Sequence, residues 1–91
     1  MSYNPGAASS AAFRSYLQHF HLSRQDVAQV ANVRLLIVWK IEQGLPIREE
    51  HALAVRASLY HLTDVPFRPL IPVIPVGILL MTQESRARNK L

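Results

Sequence analysis

The sequence lacks cysteine and a long apolar run. Without cysteine the chain can have neither a disulfide framework nor a cysteine-ligated zinc site. The longest stretch without a charged residue is 69–83; three prolines interrupt it, and its apolar part is shorter than the ~20 residues that span a bilayer as a helix. The first ten residues have no basic region followed by an apolar one, which a secretory signal would require. We therefore expect a soluble, cytoplasmic protein.

Motifs for catalysis and metal binding are also missing. The spacings of the four histidines match no metal-ligand motif. The sequence has no nucleophile elbow, phosphate-binding loop or paired carboxylates placed for acid–base catalysis. These absences predict a protein that is not an enzyme and that uses no metal or cofactor.

Acidic residues are few, 6 against 10 lysines and arginines, and the formal net charge is +4. The excess is unevenly distributed, because residues 13–64 hold six basic and five acidic side chains and are therefore only +1. The other basic residues are Arg68, Arg86, Arg88 and Lys90. A central region this neutral would bind a phosphate backbone weakly as a monomer, so a nucleic-acid-binding function would favour a homodimer.

Apolar spacing predicts a first helix from Ser10, as its cap, to about His19. Phe13, Leu17 and Phe20 recur at intervals of three and four residues, which places them on one face of a helix. Residues 1–9 are expected to form a flexible leader, with Pro5-Gly6 as a breaker.

Three further helices follow from local signals. Ser23 and Asp26 form a capping-box pattern for a second helix over Leu22–Ala31, and Asn32 suits the left-handed turn after it. A third helix, Arg34–Gln43, ends at Gly44, and a fourth begins at the Glu49-Glu50 pair and ends near Thr63. The apolar residues expected to be buried on the second and third helices are Val27, Ala28, Val30, Ala31, Val38 and Ile41. The helical domain should therefore occupy residues 10–64.

Prolines recur every third residue in the next segment, 65–82. A polyproline II helix has three residues per turn, so Pro66, Pro69, Pro72 and Pro75 would share one edge. Phe67, Leu70, Val73 and Val76 would line a second edge, and Ile78–Met81 could continue as a short strand. So apolar an arm should pack on its own domain, on a twin subunit or on another protein. Residues 83–91 are expected to be a mobile basic tail.

The run Leu22–Ile47, LSRQDVAQVANVRLLIVWKIEQGLPI, resembles the Cro/cI (Xre-type) helix-turn-helix family. The matching features are Leu22-Ser23, Val27-Ala28, Asn32-Val33, Val38 and Ile41-Glu42-Gln43-Gly44. The resemblance covers roughly residues 13–63 and implies an all-α, lambda-repressor-like helix-turn-helix bundle of four to five helices. It also implies a dimeric transcriptional regulator that binds double-stranded DNA with the third helix in the major groove.

Carried over by position, the resemblance implies a set of DNA-binding residues on and around the third helix. These residues are Arg24, Arg34, Leu36, Ile37, Trp39, Lys40 and Arg48. Arg34 departs from the family pattern, because it stands where a serine or threonine normally caps the third helix. Leu35, Leu36, Ile37 and Trp39 depart from it too, because polar side chains normally occupy such positions and pair with base edges.

Those departures leave a second interpretation open. The same fold could serve as a non-enzymatic protein-protein interaction module, in which the apolar third helix and the proline-rich arm contact another protein. Trp39 would be its anchor, and Phe67, Leu70 and Val73 would contribute from the arm.

Overall fold

Four helices make up the computed structural model, which describes residues 5–75, with side chains from Ser9 onward. Helix α1 spans Pro5–His19, α2 spans Arg24–Ala31, α3 spans Leu35–Gln43 and α4 spans Glu49–Thr63. The predicted all-α class is confirmed, and none of the helices in this range is long and apolar enough to cross a membrane. The predicted strand over 78–81, the tail over 83–91, Val76 and residues 1–4 of the leader lie outside the described residues.

Helix α1 begins earlier than its sequence predicted. Pro5 is its first residue, so the expected leader over residues 1–9 is wrong from Pro5 onward. A proline at the first helical position removes an N–H that has no partner there, and its fixed φ already suits a helix. Ser10 is consequently inside the helix, where it is buried, and it does not cap the N-terminus.

The core lies where α3 packs on α1 and where α2 packs on both α3 and α4. Its members come from all four helices, the loop after α3 and the segment after α4, and they are Phe13, Leu17, Val27, Ala28, Val38, Ile41, Ile47, Ala52, Val55, Leu59, Phe67 and Ile71. Val30 was expected among them, but its side chain is exposed at the edge of α2. With Val27 and Ala28 turned inward, the helical repeat leaves Val30 facing away.

Residues 64–75, here called the C-terminal segment, contribute two side chains to this core. Asp64 ends α4 in the left-handed conformation and reverses the chain. The Phe67 ring then packs in a T-shaped arrangement with Phe13, with 5.7 Å between ring centroids, and with Tyr16, with 5.3 Å between centroids. Phe67 and Ile71 are buried, although a regular threefold rod would place them on different edges. The segment bends at Pro69, so the prediction of one continuous apolar edge through Phe67 is wrong.

Polar contacts hold the C-terminal segment at both ends. The guanidinium of Arg56 donates to the carbonyl oxygens of Phe67 and Pro69, and it lies 5.9 Å from the centroid of the Phe67 ring. Farther on, the N–H of Ile47 donates to Pro72 at 3.1 Å, and Ile74 donates back to the carbonyl of Ile47 at 2.8 Å. The segment is thus tied to α4 and to the loop between α3 and α4.

Candidate nucleic-acid interface

A reciprocal cap fixes the start of α2. The hydroxyl of Ser23 accepts from the N–H of Asp26 at 3.0 Å, and the Asp26 carboxylate accepts from the N–H of Ser23 at 2.9 Å. The backbone bond, helped by the hydroxyl, stabilises the carboxylate and lowers the pKa of Asp26 below its ordinary value of 3.8. The capping box predicted from the sequence is therefore present.

The turn between α2 and α3 is tight. Asn32 takes the left-handed conformation at φ 56° and ψ 47°, and its N–H bonds to the carbonyls of Ala28 and Gln29. Val33 adds a bond of 3.0 Å to Ala28, so two successive N–H groups close the end of α2. After this turn Arg34 precedes α3 in an extended conformation and makes no side-chain cap. The N–H groups in the first turn of α3 therefore have no hydrogen-bond acceptor from the side chain of the N-cap residue.

Helix α3 divides into an inner and an outer face. Val38, Ile41 and Glu42 face inward and are buried. Leu35, Leu36 and Trp39 face outward, with exposed fractions of 44%, 51% and 39%. We define these three residues as the α3 outer face. Ile37, expected to face or flank DNA, is half-buried and packs against the core, so it is not part of this face.

The single acid of α3 is on its inner face. Glu42 is buried, and its carboxylate forms an ion pair with the Nε of Arg24 at the start of α2. An unpaired buried carboxylate would be costly, so Arg24 has a structural role that the sequence did not predict. The sequence does contain a signal for this role, because Glu42 falls on the same inward face of α3 as Val38 and Ile41, where a charged group requires a partner. The Arg24 side chain is still 49% exposed.

The other cations predicted to bind DNA lie just before α3, within it and beyond it. Arg34 is exposed just before the helix, and Lys40 is half-buried within it. Arg48 precedes α4, and its guanidinium lies 3.5 Å from a carboxylate oxygen of Glu50, both side chains being largely exposed. Within residues 5–75 neither Arg34 nor Lys40 has an ion pair with an acidic side chain. Around α3 these two are thus the cations available to an anionic partner.

The residues predicted for a protein interface are not brought together as expected. Phe67 is 5% exposed and belongs to the core, so its prediction as an interface residue is wrong. Leu70 and Val73 are exposed on the C-terminal segment, and Trp39 is exposed on α3. The C-terminal segment contacts Phe13, Tyr16 and Ile47. The α3 outer face remains exposed to solvent.

Comparison with known proteins adds no relative, since no family model, curated protein or solved structure matches the chain.

Proposed function

We propose that this protein binds double-stranded DNA as a lambda-repressor-like helix-turn-helix regulator, with α3 in the major groove. The observation that carries this proposal is the separation of charge on α3. Its acid, Glu42, is inside and paired with Arg24, whereas Arg34 and Lys40 lie beside the exposed outer face. A helix that keeps its single acid buried and has cations beside its exposed face suits a phosphate-lined groove.

Each part of this surface has a role in the proposed complex. Arg34 and Lys40 neutralise phosphates or donate to guanine, and the exposed parts of Arg24 and Arg48 contact the backbone at either side. The side chains of Leu35, Leu36 and Trp39 cannot read bases by hydrogen bonds, so they contact thymine methyl groups. With few cations per copy, useful affinity requires two half-sites and hence a homodimer.

Binding to a random-sequence duplex at about 50 and 200 mM salt tests the proposal. The wild-type protein should bind at the lower concentration and release DNA at the higher one. Lys40→Ala and Arg34→Ala should each weaken binding and reduce the slope against log salt by about one. Arg68→Ala is the matched control, because it removes an exposed cation from the C-terminal segment. The absence of binding at low salt, or an equal loss in the control, would overturn the proposal.

A protein-protein interaction module is the second candidate, and the exposure of Leu35, Leu36 and Trp39 favours it. Three large apolar side chains within five consecutive positions form a patch of the kind that protein partners cover. Trp39 is the single tryptophan, so its fluorescence reports on this face directly. If DNA binds through α3, adding duplex should change that fluorescence. If DNA leaves it unchanged and Trp39→Ala abolishes self-association, the second function holds.

A further inference from the structure

An open cavity of about 440 Å³, here called the α1/segment cavity, lies between α1 and the start of the C-terminal segment. Aromatic rings line it, since the centroids of Tyr16 and Phe20 are 4.8 Å apart and the Phe67 ring lies 5.3 Å from that of Tyr16. The segment adds the apolar side chains of Val65, Pro66 and Pro69. Cavities of about 300–1,000 Å³ that combine apolar and aromatic lining with a few polar groups are typical sites for small organic molecules.

Hydrogen bonds hold the lining of the cavity in place. The hydroxyl of Tyr16 donates to the carbonyl of Val65, which joins α1 to the beginning of the C-terminal segment. The guanidinium of Arg56 donates to the carbonyls of Phe67 and Pro69 farther along the segment. The cavity is therefore formed without a ligand, so that a ligand would lose little free energy to ordering the protein.

Three polar side chains that can donate hydrogen bonds also line the cavity, namely Ser15, His19 and Arg68. All three are exposed, and within residues 5–75 none of them has a side-chain hydrogen bond or an ion pair. None of the described lining residues is acidic, and Asp64, the nearest acid along the chain, caps the end of α4 and does not line the cavity. The cavity thus combines aromatic rings with an unpaired cation and two further donors, which suits a ligand that is both aromatic and anionic.

We propose that the α1/segment cavity binds a small aromatic carboxylate, with its ring on Tyr16 and Phe20 and its carboxylate on Arg68. A guanidinium pairs with a carboxylate through two parallel hydrogen bonds, which a neutral alcohol or an amine cannot provide. The ligand ring gains offset or edge-to-face contacts with the protein rings, and Ser15 and His19 donate to the remaining lone pairs of the carboxylate. The site does not involve α3, so this inference goes beyond the proposed function and does not depend on DNA binding.

Titration of the isotope-labelled full chain with three probes, followed by the NMR shifts of its backbone amides, tests the site. The probes are phenylacetate, 2-phenylethanol and 2-phenylethylammonium, which share a ring and differ in the charge of the attached group. Phenylacetate should shift amides of α1 and of the C-terminal segment and should bind at least about tenfold more tightly than the alcohol, because it alone forms charge-assisted bonds with Arg68. The ammonium probe should bind more weakly than the alcohol, since the cavity presents a cation.

Two substitutions separate the role of the cation from that of the rings. Arg68→Gln should remove the preference for phenylacetate over the alcohol, whereas Phe20→Ala should weaken both probes alike. Arg14→Gln is the matched control, because Arg14 is an exposed arginine of α1 that does not line the cavity. Equal binding of the three probes, or an equal loss of preference in Arg14→Gln, would overturn the inference. So would the absence of saturable shifts at about 10 mM phenylacetate, or shifts that spread evenly over all four helices.

Discussion

Helix α3 and the C-terminal segment each place two apolar side chains in the core and leave three large ones exposed. The helix buries Val38 and Ile41 and exposes Leu35, Leu36 and Trp39, whereas the segment, which has no regular structure, buries Phe67 and Ile71 and exposes Val65, Leu70 and Val73. The two differ in what surrounds their exposed side chains and in what holds their backbone. The cations Arg34 and Lys40 accompany the outer face of α3, whereas the segment is held by hydrogen bonds from Arg56 and with Ile47. Stability should therefore depend on the segment, and binding on the outside of α3.

Truncating the buried ring should have the largest effect. Phe67→Ala removes the contacts with Phe13 and Tyr16 and should lower the free energy of unfolding by about 3–5 kcal/mol. Urea unfolding followed by circular dichroism measures this loss. Leu70→Ala, in the same segment but exposed, should change the free energy by less than about 0.5 kcal/mol. Similar losses in the two variants would show that the segment contributes no specific core contact.

Releasing the backbone of the segment should have a smaller effect. Arg56→Ala leaves the carbonyls of Phe67 and Pro69 without their charged donor and should cost about 1.5–3 kcal/mol. The control is Arg68→Ala, which removes an exposed arginine from the segment itself. If both substitutions leave the urea midpoint unchanged, Arg56 does not anchor the segment.

Local signals in the sequence predicted most of the helix-turn-helix, and long-range contacts account for what they missed. Ser23 and Gly44 mark helix ends through bonds to residues a few positions away, so their roles are visible in the sequence. The burial of Phe67 depends on α1, which is about fifty positions distant, and proline spacing carries no information about it. The ion pair between Arg24 and Glu42 likewise joins two helices. The only indication of it in the sequence is the inward position of Glu42 on α3.

A better N-cap on α3 should separate the effect of Arg34 on folding stability from its effect on DNA binding. Arg34 has the extended conformation of an N-cap residue, at φ −67° and ψ 148°, but its side chain makes no capping bond. Arg34→Ser supplies an acceptor for the first-turn N–H groups and should raise the free energy of unfolding by about 0.5–1.5 kcal/mol. Arg34→Ala, the control, removes the same charge without adding an acceptor. Both variants should lose DNA affinity, and equal stability of the two would mean that the first turn gains nothing from a cap.

The smallest effect should come from acid titration of the cap on α2. Bonds from Ser23 lower the pKa of Asp26 in the folded chain below the 3.8 expected when it is unfolded. The ionised carboxylate therefore stabilises the fold above pH 3.8, and this contribution disappears as the pH falls through the lowered folded pKa. Asp26→Asn cannot titrate, so the stability difference between the wild-type protein and this variant should shrink as acid is added. Because Asp26 is exposed to solvent, the change is modest and is best followed as a difference in urea midpoint between about pH 6 and pH 2.5. A difference that stays constant over that range would show that the carboxylate charge contributes nothing to the cap, and that the order between Ser23 and Asp26 comes from neutral hydrogen bonds alone.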